Sequence, residues 1–149
     1  MKQSEVFLAG EGEAWLNRNE GRYIESDDPV LQAIDKYKLN PKNVLEIGCA
    51  DGARLAVMER AGCAVCGVDP AWNTKMGQSK AMVWNGTAAN PEVAGQVFDT
   101  IIYGWCLYLC DPEDYLKIAE AGDRILQDGG YLIVYDFHNE GVPYANPYK

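Results

Sequence analysis

No apolar run in this sequence approaches the roughly 18 residues that a membrane-spanning helix requires, so a transmembrane protein is not expected. A secretory signal is missing as well. The opening Met1-Lys2-Gln3-Ser4-Glu5 meets acidic residues without a continuous apolar stretch behind it, which leaves the cytoplasm as the expected location. Positive charge is scarce: 13 Lys and Arg stand against 22 Asp and Glu, for a net charge of −9. Binding to a phosphate backbone needs clustered bases, so nucleic acid is not an expected partner. Histidine occurs once, as His138. The spacing Cys63-x-x-Cys66 therefore lacks the matching Cys/His pair of a zinc site, and no metal is expected. The five cysteines, Cys49, Cys63, Cys66, Cys106 and Cys110, are an odd number and read as reduced thiols. Repeats and low-complexity segments are also absent.

What is present is ordinary for a soluble globular domain, with 48% hydrophobic and 23% charged residues in a chain of 149. That length suits one domain. From about residue 29, helical and strand signals alternate, which predicts a parallel α/β sheet. Asp27-Asp28-Pro29 reads as a helix start with a carboxylate cap, and Asn40-Pro41 stops the helix. Val44 to Ile47 reads as a buried first strand, Gly48 to Gly52 as a tight loop, and Ala53 to Ala61 as a helix ended by Gly62. Ala64 to Val68, Ala81 to Trp84, Val97 to Tyr103 and Tyr131 to Tyr135 supply four further strands. A poorly periodic helical stretch is expected from about 71 to 80. Another helix runs from Asp111-Pro112-Glu113 to about Leu126, with a turn at Gly129-Gly130. Residues 29–149 form the expected doubly wound domain. Residues 1–28 stand outside the alternation and carry Phe7, Trp15 and Tyr23, as a flap over a ligand or as a helix packed on the sheet.

In a doubly wound sheet, ligands bind at the carboxyl ends of the strands near the switch in strand order, and this places the loop after the first strand at the site. Gly48 and Gly52 there permit positive φ and close backbone approach. Asp69 follows about twenty residues later at the end of the second strand, where a carboxylate can accept hydrogen bonds from both ribose hydroxyls. Together they predict a nucleoside ligand. The loop reads Glu46-x-Gly48-x-Ala50-x-Gly52, so the second glycine of a dinucleotide fingerprint falls on Ala50. Glu46 would repel a pyrophosphate but can accept a bond from a cationic amino group.

Glu46 to Gly52 resembles the glycine-rich signature of the class I S-adenosylmethionine-dependent methyltransferases. Gly67-Val68-Asp69-Pro70 is similar to the family's ribose-binding strand end, and Asn85-Gly86-Thr87-Ala88 to its adenine-lining loop. Phe98 to Ile102, Leu107 to Glu113 and Gly129 to Val134 resemble its fourth strand, the following helix start and its fifth strand. The resemblance covers about residues 43 to 136. It implies a Rossmann-like, mostly parallel sheet of order 3-2-1-4-5 that lacks the last two of the usual seven strands. It also implies S-adenosylmethionine as cofactor, held by Glu46, Gly48, Cys49, Ala50, Asp51, Gly52, Asp69, Pro70, Thr87, Ala88, Tyr103 and Trp105. The opening Phe7 to Gly12 with Arg18-Asn19 is similar to methylases of surface-sugar biosynthesis. The expected acceptor is accordingly a small molecule or a sugar-related one.

Sulfonium methyl transfer needs orientation and a dry site more than a catalytic triad. His138 and Tyr108 are the candidates for a catalytic group, each with an alternative as a loop or packing residue. Asp99, at the start of its strand, reads as structural. Two other functions stay open: a non-catalytic cofactor-binding module that needs a partner or missing segment, and a nicotinamide-dependent oxidoreductase, which Glu46 and Ala50 disfavour. An unpaired fifth strand, rich in β-formers, would further predict self-association through its edge or cover by the tail from Phe137 to Lys149.

Overall fold

The computed structural model describes residues 2–72 and 79–137. Its centre is a parallel sheet of order β3-β2-β1-β4-β5, built from β1 (Asn43–Ile47), β2 (Ala64–Val68), β3 (Met82–Trp84), β4 (Phe98–Gly104) and β5 (Leu126–Tyr135). The order reverses between β1 and β4, which opens a crevice at their carboxyl ends. Asp99 accepts the backbone N–H groups of Lys42 (3.0 Å) and Asn43 (2.8 Å), so it ties the start of β4 to the start of β1, away from that crevice.

Because strand side chains alternate, the central strands divide their residues between two layers. Leu45, Ile47, Val68, Phe98, Ile101 and Tyr103 pack toward α5 (Tyr115–Ile125), with Ile118 and Ile125. Val44 and Ile102 pack toward α3 (Pro29–Lys36) and α4 (Ala53–Arg60), with Val30 and Met58. Helix α3 begins as its sequence demands. Asp28 accepts from the backbone N–H groups of Val30 (2.9 Å) and Leu31 (3.3 Å), and Pro29 occupies the first turn.

Two sequence expectations are corrected near the C-terminal end. Gly129-Gly130 is not a turn before the last strand, because β5 already starts at Leu126. The pairing jumps from Phe98 opposite Leu126 to Thr100 opposite Tyr131, so the two glycines form an irregularity inside the strand. Gly129 sits at φ +75°, and a Cβ on Gly130 would lie 2.6 Å from the Asp99 carbonyl oxygen. Nor does the Asp111 side chain cap the following helix. It accepts the backbone N–H of Gln3 (3.1 Å), while a short 3-10 turn over Pro112–Asp114 leads into α5. Strand β5 pairs only with β4 among the described residues, and Leu132 and Val134 there are 53% and 52% exposed. Most of the helix expected over 71 to 80, and the tail beyond Phe137 with its covering role, lie outside the described residues.

The N-terminal segment is helical: α1 (Gln3–Val6), a π-type turn over Phe7–Glu11, and α2 (Gly12–Asn19), with Gly10 at φ +131° inside the turn. The segment lies against the loops at the carboxyl ends of the strands. Gln3 meets Asp111, Lys2 pairs with Asp114 (3.0 Å), and a Cβ on Gly12 would lie 2.5 Å from the Cβ of Ala71.

Candidate functional site

Four loops converge at the carboxyl ends of the strands. After β1, Gly48 (φ +73°), Ala50 (φ +50°) and Gly52 (φ +74°) turn the chain through left-handed conformations, and Ala50 adopts one despite its methyl group. The turn is tied to its neighbour: Gly48 and Cys49 donate to the Val68 carbonyl at 2.7 and 3.3 Å. Gly48 also has a packing reason to lack a side chain, since a Cβ would lie 2.6 Å from that of Cys106.

Asp69, at the end of β2, is 5% exposed. Its two carboxylate oxygens accept the backbone N–H groups of Ala50 (3.0 Å) and Ala71 (2.9 Å). Burial pushes its carboxyl up, and those two hydrogen bonds pull it back. Each oxygen retains a second lone pair for a ligand hydroxyl.

These loops wall two adjoining cavities. One, of about 130 Å³, is lined by Asp69, Pro70, Thr87 and Ala88, closed by Leu109 and Ile118, and roofed by Phe7. The other, of about 470 Å³, is lined by Glu46, Cys49, Asp51, Arg54 and Tyr23. Trp15, Gly48, Ala50, Gly104 and Trp105 border both. Trp105 follows β4 at φ +59°. Its N–H donates to the Tyr135 carbonyl (2.8 Å), and its ring packs edge-on to Tyr135 and Phe137. Asp136 steadies the same loop by accepting the N–H groups of Leu107 (2.7 Å) and Tyr108 (3.2 Å).

Glu46 is 3% exposed and projects from β1 on the α3/α4 side. Its Oε1 accepts from Arg54 Nη1, and Arg54 Nε donates to Asp28 (2.8 Å). Burial and the neighbouring Asp28 carboxylate push the Tyr23 hydroxyl up. Glu46 Oε2 is buried without a hydrogen-bond partner among the described residues. Burial, opposed by Arg54, pushes its carboxyl up to about 7. Burial likewise pushes the Cys49 and Cys106 thiols up, which leaves them as packing groups.

Several expected site residues stand elsewhere. Tyr103 falls on the α5 face of β4 by strand alternation, its hydroxyl 3.0 Å from where a Cβ of Gly122 would be, and it lines neither cavity. Gly52 is the left-handed N-cap of α4 and also lines neither. Tyr108 is turned onto Phe137, with ring centroids 5.0 Å apart, outside both cavities. His138 lies outside the described residues. In the other direction, the sequence reading passed over Arg54 and saw Asp28 only as a cap. A signal existed for Arg54: a cation in the first turn of a helix opposes the macrodipole and needs a reason.

The sequence matches the family described as Methyltransferase domain over residues 18–147. Among solved structures, the sugar N-methyltransferase KedS8 of a Streptoalloteichus species is 18% identical, with 91% of this chain and 57% of that one aligned at a TM-score of 0.68. The Burkholderia thailandensis 1,6-didemethyltoxoflavin-N1-methyltransferase, solved with 1,6-didemethyltoxoflavin and S-adenosylhomocysteine, is 18% identical. It aligns over 92% of this chain and 65% of its own at a TM-score of 0.69. The plantazolicin methyltransferase BpumL, in complex with a pentazolic desmethylPZN analogue and S-adenosylhomocysteine, is 15% identical, over 90% and 56%, at 0.65. The chain thus spans little more than half the length of most of these proteins. No curated protein matches the sequence.

Proposed function

Since the chain belongs to the methyltransferase-domain family, we propose that its paired cavities bind S-adenosylmethionine and that it methylates a small-molecule or sugar-related acceptor. One observation carries the reading: the glycine-rich loop, Asp69 and the Thr87-Ala88 loop, from three successive strands, wall two adjoining cavities, and Glu46, which lines the wider one, has a buried Oε2 without a hydrogen-bond partner among the described residues. The residues fit the cofactor piece by piece. Asp69 offers lone pairs to ribose hydroxyls, Thr87 and Ala88 with Leu109 and Ile118 form a slot for a flat base, and Glu46 offers an anionic oxygen to an ammonium. Gly48 and Ala50 let the ligand run against bare backbone between the two cavities.

When bound, S-adenosylmethionine supplies an electrophilic methyl group on a sulfonium. The chain's own part is placement and exclusion of water. Trp15 and Trp105 stand at the junction of the cavities, and Tyr23 borders the wider one, where the acceptor would enter. The sugar N-methyltransferase KedS8 and the 1,6-didemethyltoxoflavin-N1-methyltransferase, both similar in fold, support a small acceptor.

Calorimetric titration with S-adenosylhomocysteine, S-adenosylmethionine and oxidised nicotinamide dinucleotide tests the site. The first two should bind and the third should not; the reverse result overturns the assignment. Turnover is then followed with amino sugars and nitrogen heterocycles as acceptors. A second reading, a cofactor-binding module completed by another chain, draws on the β5 edge, which is unpaired among the described residues. Tight cofactor binding with turnover appearing only on addition of a partner would select it.

A further inference from the structure

The cluster around Arg54 is more elaborate than the fold requires. Arg54 lies in the first turn of α4, beside the positive end of the helix, where a cation is disfavoured. Its side chain is 10% exposed, and buried ion pairs are often replaced by apolar groups with no loss of stability. Yet three positions accommodate it. Asp28 accepts from Nε, Glu46 accepts from Nη1, and Gly104 leaves room, since any Cβ there would run into the guanidinium. The outcome is asymmetric at Glu46, which lines the wider cavity: Oε1 is held, while Oε2 is buried without a hydrogen-bond partner among the described residues. A bare buried carboxylate oxygen is costly, and the side chain cannot rotate to relieve it without giving up Arg54.

We propose that Arg54 is a positioning residue: it fixes the Glu46 carboxylate so that Oε2 faces the ammonium of the amino-acid end of S-adenosylmethionine, with Asp28 and Gly104 holding the guanidinium in register. This rests on the site reading above. Arg54 acts through Glu46. The competing role is plain bracing of β1 against α4, with no bearing on the ligand.

Two ligands separate these roles. S-adenosylhomocysteine carries the amino-acid end, whereas 5′-methylthioadenosine has the same nucleoside and thioether without it. In Arg54→Gln, S-adenosylhomocysteine should bind roughly tenfold or more weaker by calorimetry, while 5′-methylthioadenosine stays within about twofold, as loss of one charge-assisted hydrogen bond requires. Gly104→Ala keeps every charge, pushes the guanidinium aside and should show the same split. Glu46→Gln should show it too, and adding Arg54→Gln to that variant should change little, since the two residues act as one unit. Arg54→Lys, with one ammonium for two carboxylates, should restore the affinity only in part. A parallel loss for both ligands, or unchanged S-adenosylhomocysteine affinity in a folded variant, overturns the proposal. Should Arg54→Gln fail to fold by circular dichroism, Gly104→Ala decides alone. A wild-type protein that binds neither ligand would remove the site reading itself, and this proposal with it.

Discussion

On the side of the sheet covered by α5, Leu45, Ile47, Phe98 and Ile101 meet Ile118 and Ile125 in a wholly apolar cluster. On the side covered by α3 and α4, the apolar cluster of Val30, Val44, Met58 and Ile102 is smaller, and Asp28, Glu46 and Arg54 are buried beside it. The same strands serve both layers. The first layer gains stability from burial alone. The second sacrifices part of that gain to desolvated charge, and it does so beside the loop that borders the cleft. The comparison teaches that the two layers should fail differently: apart from Ile47 and Ile118, which also line the smaller cavity, the first in stability only, and the second in stability and ligand binding together.

The largest expected effect belongs to the apolar layer. Phe98→Ala should cost about 4 kcal/mol by denaturant titration, yet leave S-adenosylhomocysteine affinity unchanged in the protein that remains folded, because Phe98 borders neither cavity. A matching loss of affinity would erase the distinction between the layers. Asp28→Ala should cost about 3 kcal/mol, since it strips the α3 cap and leaves Arg54 with one partner. Here affinity for S-adenosylhomocysteine should fall as well, and normal binding would place the cluster outside the site.

The pH dependence sharpens the contrast further. Glu46 faces Arg54 of α4, Asp28 at the start of α3, Asp51 in the loop and Tyr23 ahead of α3; burial, reinforced by the Asp28 and Asp51 charges, outweighs Arg54 and pushes its carboxyl up to about 7. A carboxyl raised in the folded state keeps a proton that the unfolded chain has released. Its contribution is therefore fully present below the ordinary value of 4.5 and lost as the pH rises through about 7. The ligand-free protein should lose up to about 3 kcal/mol across that window, and Glu46→Gln should abolish this part of the profile. Identical profiles for the two proteins would show that Glu46 does not titrate there. The smallest effect again lies in the apolar layer: Ile125→Val should cost about 1 kcal/mol without any change in pH profile or binding.

How much of this was legible in the sequence depends on what each signal specifies. The strand, loop and helix from Val44 to Ala61 were legible because apolar run, glycines and helix end fall in one order with one meaning, and the position of Asp69 followed from them. Tyr103 was not, for a physical reason. The segment from Thr100 to Tyr103 is buried on both faces, and a strand without polar alternation does not reveal which residues point to which side. Gly129-Gly130 failed similarly, since paired glycines serve a turn and a strand irregularity equally well. Arg54 was passed over: its place in the first turn of a helix was a signal, but its two carboxylate partners lie 8 and 26 residues away in sequence and meet it only through the fold.

Asp69 has one more consequence. By holding Ala50 with one oxygen and Ala71 with the other, it acts as a crosslink between the loops after β1 and β2. The two loops then share one set of fluctuations where separate loops would have two. A ligand settling against both has less chain entropy to remove, so ordering takes a smaller share of its binding free energy. In Asp69→Ala the loops should regain independent motion, visible as faster amide exchange at Ala50 and Ala71 even with no ligand present.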